Sequence, residues 1–245
     1  MPPALQIAPI SQNRLLAALP REELERLTPH FQRVPLVFKE TLFTAGALIE
    51  FFYFPLSGVI SNIASMNDGS SIEVGIVGKE GATDVAIVLG DEISSHRWSV
   101  QLPGSALKLS AAVIREELRW DGELRSVLLR YARFTLAQAT QLAACNRLHS
   151  LEQRCARWLL RMRDLVEADT FPVTHELLAY LLGVRRPGVT VAAQVLQKAG
   201  RLRYARGRLT ILDGDGLEAD ACECHRVLKN EFARLLGGEL TGVPR

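Results

Sequence analysis

The sequence predicts an α+β chain in three parts: an N-terminal antiparallel β-roll of the jelly-roll kind, a long central helix, and a C-terminal winged helix-turn-helix. Three observations carry this. From Phe31 to about Ser110, short β-rich runs alternate with glycine turns. From Asp121 to about Arg147, one apolar stripe continues at helical spacing. From Thr174 to Gly200, the stretch THELLAYLLGVRRPGVTVAAQVLQKAG orders apolar, small, glycine and apolar positions as two short helices and a tight turn. The boundaries expected are 1–118 for the roll, 119–148 for the central helix and 149–245 for the last domain. With 245 residues, 48% hydrophobic and 23% charged, the chain can bury a core of that size.

In order along the chain, Asn13 to Leu19 and Arg21 to Leu27 read as two short helices broken at Pro20. The β-rich runs follow: Phe31–Phe38, Phe51–Leu56, Val59–Ser65, Ser71–Val77, Arg97–Gln101 and Ser105–Leu109. Asp68-Gly69 between two of them is a two-residue hairpin signal. In the central helix Leu124, Leu128, Tyr131, Thr135, Gln138, Leu142 and Cys145 recur every three or four residues, a coiled-coil-like seam that predicts a two-fold dimer. Ser150 is placed to cap a further amphipathic helix to Val166, whose Arg154, Arg157, Arg161 and Arg163 read mostly as a solvated face. Glu167 to Pro172 reads as a loop.

In the helix-turn-helix, the Thr174 hydroxyl is placed to accept a first-turn N–H, and Leu178, Leu181 and Leu182 form an apolar face. Gly183 stands where the turn requires positive φ. Pro187 is tolerated in the first turn of the second helix because no i−4 bond is lost there. Val189, Ala192 and Leu196 then point inward. Arg186, Thr190, Val191, Gln194 and Lys198 lie on or near the outer side, with no carboxylate from Arg185 to Lys198. A β-hairpin turning at Gly207 follows, with Arg203, Arg206 and Arg208 around its tip. An ordinary αα-hairpin would satisfy the apolar spacing alone; the paired arginines, the missing carboxylates and the basic hairpin favour DNA. Net charge is only +2, but from Arg147 to Asp213 basic residues outnumber acidic ones by about two to one, while the first hundred residues lean acidic.

Segment 174–212 resembles the winged helix-turn-helix of Crp/Fnr-type transcription regulators, and the roll and long helix upstream fit the same arrangement. The resemblance implies a homodimer on a palindromic DNA operator, a cyclic-nucleotide-binding-like sensor roll and contact with RNA polymerase. It places Arg186 on a base-reading arginine of the family, a guanidinium suited to guanine O6 and N7. Pro187 and Val191 replace the family's glutamate and second base-reading arginine, which implies a different operator, with a thymine-methyl contact from Val191. Arg185, Thr190 and Gln194 are candidates for base or phosphate contacts. Thr174, His175, Arg203, Arg206 and Arg208 are phosphate candidates, and Lys198 lies on the same face.

The family's cyclic-nucleotide contacts map poorly. Gly81-Ala82-Thr83 stands where a Gly-Glu pair holds the ribose, so alanine replaces the acid. The phosphate-clamping arginine falls near His96-Arg97, displaced and followed by Trp98. Of the adenine-reading hydroxyl pair only Thr140 remains. A different effector, or none, is expected, and no cofactor is implied.

The four cysteines form no disulfide framework, and Cys222-Glu-Cys-His225 reads as structural because Cys145, Cys155 and the other histidines lie far off in sequence. If both stood on one helix from Leu217 to about Leu236, Cys222 and Cys224 would face different ways; no metal site is expected. The scattered histidines, and the lack of a nucleophile elbow, P-loop or dinucleotide fingerprint, argue against an enzyme. No apolar run approaches membrane-spanning length and Met1-Pro-Pro-Ala-Leu has no signal-peptide character, so a cytoplasmic chain is expected. The rival reading is an effector-binding regulatory protein whose helical end docks a protein partner, which a steep salt dependence with duplex DNA would exclude.

Overall fold

The computed structural model describes residues 10–237; the readings of Met1–Leu5 and of the end of the tail, 238–245, lie outside them. Two compact units emerge. The described residues up to Asn62 with Ile76–Thr135 form the first, and Ile63–Gly75 with the described residues from Leu136 form the second.

In the first unit, Asn13 opens α1 (Arg14–Ala17), its Oδ1 accepting from the Leu15 and Leu16 N–H groups. The same fully buried side chain donates through Nδ2 to the carbonyls of Pro55 at 3.0 Å and Gly81 at 2.8 Å. After α2 (Arg21–Leu27) come β1 (Gln32–Leu36), β2 (Thr41–Phe43), β3 (Phe51–Ser65), which passes into the second unit from Ile63, β4 (Ser71–Val77), which returns from it after Gly75, and β5 (Arg97–Ser110). They form one sheet in the order β1-β5-β3-β4, with β2 also on β5. β1 pairs antiparallel with β5, Gln32 opposite Lys108 and Leu36 opposite Gly104. Phe52 and Phe54 are fully buried, and Phe31 meets Phe54 edge to face.

The runs expected as four separate strands are two long ones. Phe51–Leu56 continues into Val59–Ser65, and Arg97–Gln101 into Ser105–Leu109. Gly58, at φ +80°, lies so close to β5 that a Cβ would sit 2.7 Å from the Leu102 carbonyl oxygen, and one on Gly104 would strike the Ser57 carbonyl. Glycine therefore lets each strand bend through the crossing instead of ending there. The Asp68-Gly69 hairpin is also longer than expected: Met66 N–H bonds to the Ser70 carbonyl at 2.8 Å, leaving a three-residue loop with Gly69 left-handed. Asp68 Oδ1 accepts from the Ser70 N–H and hydroxyl, which holds its carboxyl below the usual range.

Ser110 caps α3 (Ala111–Glu117). The long helix α4 (Glu123–Leu148) follows, and the Glu23 carboxylate accepts from its first free N–H groups, Glu123 at 2.8 Å and Leu124 at 2.9 Å. Its expected dimer seam is corrected here. Leu124, Leu128 and Tyr131 are buried against their own chain, as is Gln138, while Thr135 and Leu142 are half-buried. The stripe has the right period, but most of it faces the core. Leu129, Leu136 and Ala143 are exposed instead.

In the second unit, Ser150 and Gln153 form a reciprocal capping box at the start of α5 (Leu151–Val166). Arg154, Arg157 and Arg161 are buried, contrary to the solvated face expected of them. Arg154 donates to the Leu182 carbonyl at 2.6 Å, so it serves the free carbonyl end of a neighbouring helix. The segment expected as a loop contains β6 (Thr170–Pro172), which joins β7 (Leu202–Ala205) and β8 (Arg208–Ile211) in the sheet order β6-β8-β7. Between them lie α6 (His175–Leu182) and α7 (Arg186–Lys198). Trp158 donates to Glu73 at 2.9 Å within this unit.

The tail differs from the single helix expected. Ala221 is extended, so α8 (Gly214–Asp220) ends before Cys222 and α9 (Cys224–Leu236) begins after it. Cys222 and Cys224 therefore do not diverge around one helix. With Cys145, at the end of α4, they form a buried cluster, so residues distant in sequence are neighbours in space.

Candidate nucleic-acid interface

Helix α6 starts on Thr174, whose Oγ1 accepts from Leu177 N–H at 3.1 Å, and stops at Gly183, left-handed at φ +64°. Helix α7 starts after Arg185 with Pro187 in its first turn. Leu178, Leu181 and Leu182 are buried, as are Val189, Ala192 and Leu196 of α7, which fixes which face of α7 is left outside. That outer face holds Arg185, Arg186, Pro187, Val191, Gln194 and Lys198, all exposed, as the spacing predicts.

Two residues assigned to this face have a second role. Thr190, half-buried, donates to the Arg186 carbonyl at 3.1 Å, so its one hydroxyl proton is used. The His175 Nδ1, 3.0 Å from the Thr190 oxygen, must then be the donor in that pair. The imidazole also meets Tyr204 edge to face with centroids 4.6 Å apart. Burial, and then the neighbouring Arg186 charge, push the His175 pKa down, so the ring is neutral and ties α6 to α7 and the hairpin. Named as a phosphate candidate, His175 is half-buried, with its Nδ1 side engaged by Thr190.

Strands β7 and β8 close on Arg206 and Gly207, both at positive φ (50° and 75°), the signature of a two-residue type I′ hairpin. Arg203, Arg206 and Arg208 are exposed around it, and Thr174 is exposed at the start of α6. Nearby arginines are engaged internally: Arg163 with Asp169 at 2.6 Å, and Arg201 with Asp213 at 2.5 Å and Asp220 at 2.8 Å. Among the described residues, no carboxylate pairs with Arg185, Arg186, Lys198, Arg203, Arg206 or Arg208. Sequence reasoning missed Val195, which is 48% exposed one turn beyond Val191, itself 55% exposed. Their spacing of four is the signal that pairs them on one face.

The residues considered for an effector are occupied within the chain. Gly81, Ala82 and Thr83 are buried. The Gly81 carbonyl accepts from Asn13, that of Ala82 from the Tyr131 hydroxyl at 3.2 Å, and Thr83 exchanges bonds with the Tyr53 backbone. A Cβ at Gly81 would run into the Tyr131 ring, which explains glycine there without a ligand. His96 and Arg97 are half-buried on the loop before and the first residue of β5, with the Ser94 hydroxyl bonded to the His96 carbonyl and to Asp84. Thr140 spends its hydroxyl on the Leu136 and Ala137 carbonyls at 3.0 Å.

Residues 153–220 match the model of the Crp-like helix-turn-helix domain. No curated protein matches the chain in sequence. Solved structures do match in fold. The c-di-GMP-responsive global regulator CLP of Xanthomonas campestris aligns at TM-score 0.65 and 17% identity, covering 78% of this chain and 99% of that one. FixK2 from Bradyrhizobium japonicum gives 0.68 and 14%, with coverage of 78% and 98%. A CRP-family transcriptional regulator from Thermus thermophilus gives 0.64 and 19%, with 77% and 96%. Residues 153–220, from α5 to α8, thus carry a Crp-like helix-turn-helix domain, and the chain as a whole shares the fold of these regulators.

Proposed function

We propose that the protein reads a two-fold symmetric DNA operator as a homodimer, with α7 in the major groove and the β7–β8 hairpin on the flanking phosphates. The observation that carries this is the outer face of α7, where exposed Arg185, Arg186, Gln194 and Lys198 surround exposed Val191 and Val195 with no carboxylate paired to them among the described residues. Arg186, at the N-terminal end of α7, is the direct reader, and its guanidinium suits guanine O6 and N7. Val191 and Val195 offer methyl groups to thymine. Arg203, Arg206, Arg208 and Thr174 position the protein on phosphates without reading sequence.

Dimerisation runs along the exposed face of α4. Leu129, Leu136 and Ala143 recur every seven residues there, with Leu129 43% and Leu136 60% exposed in the single chain. Two copies related by a two-fold axis would set their α7 helices roughly 34–36 Å apart, one turn of DNA. Contact with RNA polymerase follows the family pattern. The roll works without cyclic AMP held in the family's usual way, since Gly81 to Thr83 are committed to their own chain and Ala82 carries no acid. No helix among the described residues is long and apolar enough to cross a membrane.

The test is selection from a randomised duplex pool with the purified full-length chain. Enrichment of a palindrome whose half-sites lie one helical turn apart, unchanged by added cyclic AMP, is the expected result. Enrichment of a single unpaired half-site would remove the dimer reading, and dependence on cyclic AMP would remove the reading of the roll. No enrichment, with capture of a protein partner through the α6–α7 face, would favour the docking alternative.

A further inference from the structure

Four side chains outside the DNA face converge at the junction between α4 and α5. Cys145 and His149 stand four residues apart, and the His149 N–H continues the helical bonding to the Cys145 carbonyl, which sets both on one face. Cys222 and Cys224 arrive from the break between α8 and α9. The four potential ligand atoms all lie within 4.8 Å of one another. Cys145 Sγ is 3.5 Å from Cys222 Sγ, and Cys224 Sγ is 3.6 Å from His149 Nδ1. A tetrahedral ion with sulfur at about 2.3 Å and nitrogen at about 2.0 Å separates its ligands by roughly 3.5–3.8 Å. The observed pairs fall at that spacing.

Polar partners surround the cluster. His149 Nε2 lies 3.2 Å from the Glu223 carboxylate. That partner holds the Nε2 proton and leaves Nδ1 free to face the sulfurs, the outer-shell arrangement that orients metal-bound histidines. Gln141 donates an amide N–H to Cys224 Sγ at 3.1 Å. Cys224 is the first residue of the thirteen-residue α9, at its positive end. All three cysteines are buried and reduced, and His149 is half-buried.

We propose that Cys145, His149, Cys222 and Cys224 form a closed four-ligand site for one thiolate-preferring divalent cation of zinc's type. Three thiolates and a neutral imidazole are a standard structural zinc set, and the fourth ligand leaves no open position for catalysis. The ion ties the start of α9 to the last turn of α4, beside the two-residue link Leu148 to Leu151. The site acts on the reader's attachment and is independent of how α7 recognises bases.

The experiment uses the full-length chain purified under reducing conditions. Elemental analysis should find one zinc per chain. Replacement by cobalt(II) should give the visible bands of a tetrahedral site together with sulfur-to-metal charge transfer in the near ultraviolet. Cys222→Ser should lose the zinc. Because that change is buried, the exposed outer partner supplies a second test: Glu223→Gln should keep the helical circular dichroism of the parent yet weaken zinc by about tenfold to a hundredfold in chelator competition. Full thiol reactivity with no cobalt bands, a Cys145–Cys222 disulfide indifferent to zinc, or bound iron with acid-labile sulfide would each overturn the proposal. So would an unaltered zinc affinity in both variants.

Discussion

At the scale of single residues, the base reading proposed for α7 and the locking of α6 to α7 fall to neighbouring side chains. Arg186→Ala should cost roughly 1–3 kcal/mol in operator binding and relax preference at one position, measured by competition among operator variants. An unchanged preference would move the reading role to another residue. His175 carries a stability prediction instead. Its folded pKa lies below the ordinary imidazole value of about 6.5, so between those two values the unfolded chain binds more protons. Stability from the neutral ring is therefore complete above about 6.5 and is lost as pH falls through the window below it. His175→Asn keeps an N–H donor near the Nδ1 position but cannot titrate, so melting temperatures of variant and parent should converge as pH falls from 7.5 to 5; parallel curves would remove the role. The exposure of Arg186 was legible from its place after a turn glycine. The ring contact of His175 was not, because it depends on Tyr204, which arrives from a strand 29 residues away.

At the scale of elements, the sequence carried period and sign but not which way a stripe faces. The apolar positions of α4 repeat correctly, yet Leu124, Leu128 and Tyr131 close the core of their own chain. Periodicity cannot separate a core stripe from a partner stripe when both repeat every three or four residues. Two substitutions distinguish them. Leu136→Arg, on the exposed stripe, should leave the melting temperature nearly unchanged and shift sedimentation to the monomer. Leu128→Ala should cost about 2–5 kcal/mol of stability through a core cavity. Dissociation caused by Leu128→Ala alone, with stability intact, would return the seam to the inner face. The long strands were misread for a related reason: Gly58 and Gly104 look like turn punctuation, whereas each is needed where two backbones nearly touch. The buried arginines of α5 were read as surface because composition does not record the Leu182 carbonyl that Arg154 serves.

At the scale of the whole molecule, a net charge of +2 hides a separation of charge along the chain, with basic residues in excess from Arg147 to Asp213. Operator and non-specific DNA affinity should both fall steeply with salt, and Arg208→Ala should weaken binding to all duplexes alike and lower the logarithmic salt slope by about one. A loss confined to one operator would contradict a phosphate role. The order of roll, helix and reader was legible from turn spacing and from the helix-turn-helix itself. The gathering of Cys145, His149, Cys222 and Cys224 was half-visible, as two ligands four apart and two ligands two apart, but only the return of the tail to the end of α4 joins the halves.

The valines on the outer face of α7 have a consequence for chromosome chemistry. A hydrogen-bonding side chain distinguishes bases by their donors and acceptors, whereas in the proposed complex the exposed Val191 and Val195 would respond to a methyl group in the groove, whichever pyrimidine bears it. Thymine and 5-methylcytosine carry that methyl at the same ring position. Where these valines meet a pyrimidine, replacing thymine by uracil should weaken binding and methylating a cytosine should strengthen it. Occupancy of such a promoter would then follow the methylation state of the DNA as well as its sequence.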